Sequence, residues 1–176
     1  MTVPAILPLI PRYIKSMSVF SQAGCETIIS TLKVPFTVTR KVAWGECDPA
    51  GITYTPKTLE YAVEAVGDFF REILGISWYD LNIKNGMGQP FVHTEIDFIA
   101  PLRADERFTM EVRIEKLGNA SIKWVVTGRN ARAGDCFAVK LVACFLDRAK
   151  HCSIPVPEPW RQRVAEYMVA FPVFSD

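Results

Sequence analysis

Residues 44–70 read WGECDPAGITYTPKTLEYAVEAVGDFF, and the change of pattern inside this stretch decides the architecture. In its second half Leu59, Ala62, Val63, Val66, Phe69 and Phe70, continued by Ile73, recur at the three-and-four spacing of a helix with one apolar face. Glu60, Glu64, Asp68 and Glu72 occupy much of the polar remainder. Thr55 is suited to cap the start. Pro56 suits the first helical position, where its missing N–H costs nothing, and Gly75 supplies a stop. The first half is a loop punctuated by Gly45, Pro49 and Gly51, and it holds Asp48 seven residues before Thr55.

Working outward, VPFTVTRKVAW (34–44) reads as a first strand, with Phe36, Val38 and Val42 on one face and Thr37 and Thr39 opposite. Beyond the helix, a variable segment over 76–89 carries Gly86 and Gly88 as turn residues. Period two then takes over. Val92, Thr94, Ile96 and Phe98 share one face, and Phe108, Met110, Val112 and Ile114 form the clearest strand face in the chain. Ile122, Trp124 and Val126 supply a third, and Phe137, Val139, Leu141, Ala143 and Phe145 a fourth. LGNA (117–120) and NARAGD (130–135) suit hairpin connections. Strand, long helix and then successive antiparallel strands predict an α+β fold, one helix against a curved antiparallel sheet rather than alternating βα units.

The chain of 176 residues suits one such domain. We divide it into an extension over 1–33 with room for a short helix, a domain over 34–160, and a tail over 161–176 that includes a short helix. The 20 Lys+Arg against 19 Asp+Glu, net +1, argue against a dedicated nucleic-acid binder. Five widely spaced cysteines without a C-x-x-C pair read as reduced thiols. Two histidines give little support to a metal site. The amino-terminal apolar run is broken by Pro4, Pro8 and Pro11, and nowhere do 18 apolar residues follow without interruption, so neither a leader peptide nor a membrane span is expected and a cytoplasmic location is the default.

The loop-to-helix junction is where chemistry is expected. Free N–H groups in the first helical turn and the aligned peptide dipoles favour negative charge there, including charge that develops on a carbonyl oxygen during acyl transfer. Candidate donors are the amides around Thr55, Lys57 and Thr58, and a bend through Pro49, Ala50 and Gly51 would bring the Asp48 carboxylate to the same reacting centre. Taken alone, D-P-A-G equally suits an Asp that merely bonds its own turn.

The run V-A-W-G-E-C-D-P-A-G-I-T-Y, the helix behind it, and F-V-H-T-E-I-D-F-I-A-P-L-R-A-D-E closely resemble the hotdog-fold acyl-CoA thioesterases of the 4-hydroxybenzoyl-CoA thioesterase branch, over roughly residues 34–160. The resemblance implies hydrolysis of an acyl-CoA, with Asp48 as nucleophile or general base and the Thr55 backbone N–H polarising the thioester carbonyl. It implies no metal or other cofactor, coenzyme A being part of the substrate. It also implies a homodimer with joined sheets, or a tetramer of two such dimers. Glu46 stands where that family commonly has Asp, and Thr55 where an aromatic side chain is common. The alternatives are a hotdog hydratase or dehydratase acting on enoyl thioesters, and an acyl-thioester binding module without catalysis.

Other residues have a plainer reading beside a functional one. Glu60 and Glu64 lie off the apolar stripe and suit helix-surface pairing better than catalysis. His93 falls on the strand face with Glu95 and Asp97, and Cys47 has no histidine near it in sequence. Trp44, Gly51, Tyr54, Phe69 and Phe70 are candidates for the acyl pocket, the aromatics having core packing as the alternative. Arg103, Arg107, Lys140, Arg148 and Lys150 are candidates for the coenzyme A phosphates, each with ordinary surface charge as its alternative.

Overall fold

The structure, a computed structural model, describes residues 26–173. In chain order it contains α1 (Glu26–Thr31), β1 (Thr37–Lys41), α2 (Thr55–Glu72), β2 (Met87–Gly88), β3 (Phe91–Phe98), β4 (Arg107–Leu117), β5 (Ser121–Asn130), β6 (Gly134–Cys144), β7 (Leu146–Asp147), β8 (Cys152–Ser153) and α3 (Glu158–Ala170). A five-stranded antiparallel sheet in the order β1-β4-β5-β6-β3 carries α2 across one face, and β2, β7 and β8 form a small second sheet. This is the expected α+β arrangement of one long helix on a curved antiparallel sheet.

Alternation fixes which face meets the helix. Phe108, Met110, Val112 and Ile114 on β4, Ile122, Trp124 and Val126 on β5, and Val139, Leu141 and Ala143 on β6 are all buried on the face that carries α2, as their period-two pattern requires. From the helix, Ala62, Ala65, Val66, Phe69 and Phe70 fill the other side. Trp124 sits between the last two, at ring-centroid distances of 5.1 Å and 5.8 Å. Glu60 and Glu64 face outward, beside Lys57 and Arg40 respectively.

Four boundaries differ from the sequence expectation. The first strand covers only Thr37–Lys41, because the Glu46 carboxylate draws the Ala43 amide into a short 3-10 turn at Trp44–Glu46. Tyr54, not Thr55, is the helix N-cap, which puts Pro56 at the second helical position. A bulge between Phe91 and His93 lets Thr94, Ile96 and Phe98 stand opposite the inward residues Leu141, Val139 and Phe137 while Val92 leaves their face. The last helix straddles the expected boundary at 160 and packs Val164 and Tyr167 into the core. Of the amino-terminal extension, α1 is described and contributes Ile29 to the core; residues 1–25 lie outside the described residues.

Tyr167 ties α3 to the sheet. Its hydroxyl accepts from the Phe36 amide at 2.8 Å and donates to the Val112 carbonyl at 2.7 Å, while Val112 N–H bonds directly to the Phe36 carbonyl at 2.9 Å. The phenol thus takes one place in the β1–β4 ladder. Burial pushes its pKa up to about 12.

Candidate active site

The loop before α2 is a closed miniature hairpin. Cys47 and Thr53 bridge across it, the Asp48 N–H bonds the Ile52 carbonyl at 3.0 Å, and the Gly51 N–H bonds the Asp48 carbonyl at 2.9 Å. Gly51 has φ +75°, a left-handed conformation that suits glycine at the tip. Three contacts dock the hairpin. The Tyr54 N–H reaches the Glu46 carbonyl at 2.8 Å, the Thr53 N–H reaches the Leu102 carbonyl at 2.8 Å, and Tyr61 on α2 donates its hydroxyl to Glu46 Oε2 at 2.7 Å. Glu46 Oε2 also accepts the Ala43 N–H at 2.7 Å, so one carboxylate oxygen joins the turn to the helix. The buried Tyr61 phenol beside that carboxylate is held protonated well above its ordinary range, by burial first and by Glu46 second.

Asp48 lies half-buried in the hairpin turn. Its Oδ1 accepts the Ala50 N–H at 2.8 Å, so the self-bonded turn is realised. Its Oδ2 has no hydrogen-bond donor, and the carboxylate no ion-pair partner, among the described residues. At the head of α2 the Lys57 N–H turns back to the Tyr54 carbonyl at 2.8 Å, and the Thr55 N–H has no acceptor among the described residues. Thr55 borders an open hollow of ≈ 390 Å³ shared with Thr58, Phe98, Pro101, Leu102 and Phe137. The segment after β3 therefore serves the site twice, with its Leu102 carbonyl holding the loop and its Pro101 and Leu102 side chains walling the hollow.

The sequence-selected residues fall into three groups. Thr55 borders the hollow, and Asp48 stands on the hairpin leading into it without being part of its wall. Trp44 (79% exposed) and Tyr54 (53% exposed) stand on the surface flanking the hairpin, where core packing does not account for them, and Gly51 is exposed at its tip. Phe69 and Phe70 are fully buried around Trp124 and do not reach the hollow, so core packing is their role in this chain. Thr58, named from the sequence for its amide, also borders the hollow; Cys136 and Phe137 were not singled out, because they arrive from β6, some eighty residues downstream of the loop. The buried Cys136 thiol is pushed up by its surroundings, and Cys47, Cys136, Cys144 and Cys152 are all unpaired.

Among the phosphate candidates, Lys140 pairs with Glu95, Lys150 with Asp147, and Arg148 with the Asn82 carbonyl. The Arg103 and Arg107 side chains have no hydrogen-bond or ion-pair partner among the described residues, and Arg103 follows a hollow residue directly. His93 is exposed on the outer face of β3. Among the described residues no group of three or more His, Cys, Asp or Glu is placed to hold a metal, and no helix is long and apolar enough to cross a membrane.

Comparison with known proteins identifies the family. Residues 42–164 match the thioesterase-like superfamily. A 1,4-dihydroxy-2-naphthoyl-CoA hydrolase from Prochlorococcus marinus is 24% identical over 128 residues, 68% of this chain and 81% of the relative. A thioesterase-superfamily structure from Jannaschia superposes with a TM-score of 0.72 at 28% identity, covering 81% of this chain and 96% of the other. A 1,4-dihydroxy-2-naphthoyl-CoA thioesterase from Synechocystis superposes with a TM-score of 0.68 at 23% identity, covering 74% and 95%. With the match spanning the hairpin, α2 and every strand from β2 to β8, the chain belongs to the thioesterase-like superfamily, an enzyme of the thioesterase class on a hotdog fold.

Proposed function

We propose that the enzyme hydrolyses an acyl-CoA thioester to a carboxylic acid and coenzyme A, using Asp48 and the Thr55 amide. The observation that carries this reading is the Thr55 N–H, left without an acceptor at the head of an eighteen-residue helix where it borders a mostly apolar hollow. A thioester carbonyl oxygen placed there gains more as it becomes an oxyanion than it does in the ground state, which is the requirement for catalysis. The Ala50 N–H fixes one oxygen of Asp48, and the other is available to a water or to the carbonyl carbon.

Two routes balance. In the first, Asp48 takes a proton from water, the hydroxide oxygen bonds to the acyl carbon, and the carbon–sulfur bond breaks to release thiolate, which is then protonated. In the second, Asp48 itself bonds to the acyl carbon and expels thiolate, and water cleaves the resulting anhydride. Arg103, next in sequence to the hollow residue Leu102 and with a side chain that makes no hydrogen bond or ion pair among the described residues, is our candidate to meet a phosphate of coenzyme A. The names of the Prochlorococcus and Synechocystis relatives support an acyl-CoA as the substrate.

The working form in this reading is a homodimer. The β3 edge of the sheet carries Val92, Phe98 and the adjoining Ile99, each more than half exposed, on a strand whose free edge is open to pairing. A second copy adding its own β3 would satisfy that edge. Sedimentation of the native protein at a mass of one chain would reject this assembly.

Asp48→Asn tests the chemistry. Thiol release from a substrate acyl-CoA is expected to fall by about 10²–10⁴-fold with folding intact; unchanged turnover removes Asp48 from the mechanism. A parallel assay with enoyl-CoA separates hydrolysis from hydration.

A further inference from the structure

Thr58 opens the inward stripe of α2, which runs on through Tyr61, Ala62, Ala65 and Phe69. It is 4% exposed, and it is the one polar residue of that stripe besides Tyr61, whose hydroxyl is bound to Glu46. The Thr58 hydroxyl has no hydrogen-bond partner among the described residues. Threonines within helices commonly bond the carbonyl one turn back, and this one does not. A buried hydroxyl left unpaired costs stability, and a valine would fill nearly the same space without that cost. The oxygen is nonetheless reachable. Among the described residues the fully enclosed, unpaired side-chain atoms belong to Trp78, Gln89 and Trp124, while Thr58 borders the Thr55 hollow.

The first turn of α2 lacks a donor that this hydroxyl is placed to supply. Pro56 has no N–H and the Lys57 N–H is bound to the Tyr54 carbonyl at 2.8 Å, which leaves Thr55 with the free amide there, among the described residues. Side chains on a helix lean toward its amino-terminal end, and residues three apart share a face with Cβ atoms about 5–6 Å apart. Thr58 therefore points back over Thr55. A glutamate at the same offset is long enough to reach the amide itself, as in a capping box, whereas threonine stops short and leaves room for an oxygen between them. An oxygen bridging the two would lie about 2.9 Å from the nitrogen and about 2.8 Å from the hydroxyl. Leu102 and Phe137, both buried, wall the hollow there, and an apolar wall strengthens both bonds.

We propose that Thr58 is a further catalytic residue of this enzyme, its hydroxyl donating to the thioester oxygen alongside the Thr55 N–H. The assignment rests on the hydrolase reading. As a water oxygen or Asp48 bonds to the acyl carbon, the carbon–oxygen π pair moves onto the carbonyl oxygen, and both donors tighten on the growing charge. The pair returns when the carbon–sulfur bond breaks and thiolate leaves. Thr58 keeps its proton throughout.

The test uses acetyl-, hexanoyl- and benzoyl-CoA. On whichever is turned over fastest, Thr58→Val is expected to lower kcat about 10²-fold with KM within about threefold. Thr58→Ser, which keeps the hydroxyl, is expected to stay within about fivefold of the wild type. The melting temperature of Thr58→Val should equal or exceed that of the wild type, because the hydroxyl it removes is unpaired. Infrared difference spectra of a carbonyl-labelled acyl-CoA bound to Asp48→Asn read the contact directly, and adding Thr58→Val should move the carbonyl stretch to higher frequency. Full activity in Thr58→Val, an equal loss in Thr58→Ser, or an unmoved stretch overturns the assignment. A wild type that releases no thiol from any of the three rejects the hydrolase reading, and the stretch then decides the Thr58 contact alone. If none of the three binds, both readings fall. Should Thr58→Val not fold, Thr58→Ala against Thr58→Ser decides.

Discussion

Replacing Tyr61 with Phe removes one oxygen from the joint between α2 and the hairpin that carries Asp48. That oxygen donates to Glu46 Oε2 at 2.7 Å, and Tyr61 is 4% exposed, so the bond is made away from water. Hydrogen bonds to a charged group contribute about 1.5–3 kcal/mol. The lower end applies here, because Glu46 is partly solvated and Oε2 keeps its second donor, the Ala43 N–H. Phe fills nearly the same volume, so no cavity term is added. We therefore expect Tyr61→Phe to cost about 1.5 kcal/mol in urea unfolding at an unchanged slope.

A cycle with Glu46→Gln isolates the joint, with an expected coupling of about 1 kcal/mol or more. Because Glu46 also accepts the Tyr54 N–H through its carbonyl, loosening its side chain loosens the hairpin. With Asp48 in its proposed role, turnover of an acyl-CoA should fall about three- to tenfold, mostly in kcat, since the hairpin positions that carboxylate. Glu46→Asp should act in the same direction, because a side chain shorter by ~1.5 Å cannot hold Ala43 and Tyr61 from the present backbone. Coupling below about 0.3 kcal/mol, or full activity in Tyr61→Phe, would refute the claim that this joint sets the loop.

Two further outcomes follow from the core. The folded protein holds the Tyr167 proton more tightly than the unfolded chain, its pKa rising from 10.0 to about 12, so the associated stability is complete below pH 10 and is lost as pH climbs toward 12. Over that window the wild type should lose roughly 2–3 kcal/mol more than Tyr167→Phe in urea midpoints, and parallel pH profiles would contradict the buried ladder role. At Gly128 an added Cβ would come within 2.2 Å of the Phe137 ring, which is itself buried. Gly128→Ala should therefore cost about 1–3 kcal/mol by overpacking and reshape the Thr55 hollow that Phe137 walls; a wild-type melting temperature would refute this.

The architecture was legible because its elements repeat a pattern often enough to average over exceptions. The α2 stripe and the three inward faces of β4, β5 and β6 each carry several apolar residues in register, and nearly all are buried. What escaped depends on partners distant in sequence. The end of β1 is set by the Glu46 side chain, and the bulge at Val92 by pairing with β6. The docking of α3 is set by one tyrosine among a run of charged residues with little apolar contrast. The site divides in the same way. Asp48, Thr55 and Thr58 sit at a loop and a helix start that are locally marked, while Cys136 and Phe137 join the hollow only when β6 is folded against the helix. Trp44 and Tyr54 show the limit of residue type as a guide, since large aromatics beside a helix read as core and here stand on the surface.

The phenol inserted between Phe36 and Val112 makes fraying of β1 and detachment of α3 a single event. One oxygen serves a donor on one strand and an acceptor on its neighbour, across 131 residues of chain in the first case and 55 in the second. When the helix lifts, both main-chain groups are released together. Deuterium uptake at the Phe36 amide therefore reports detachment of a remote helix rather than local breathing of an edge strand, and the two ends of the domain open as one cooperative unit.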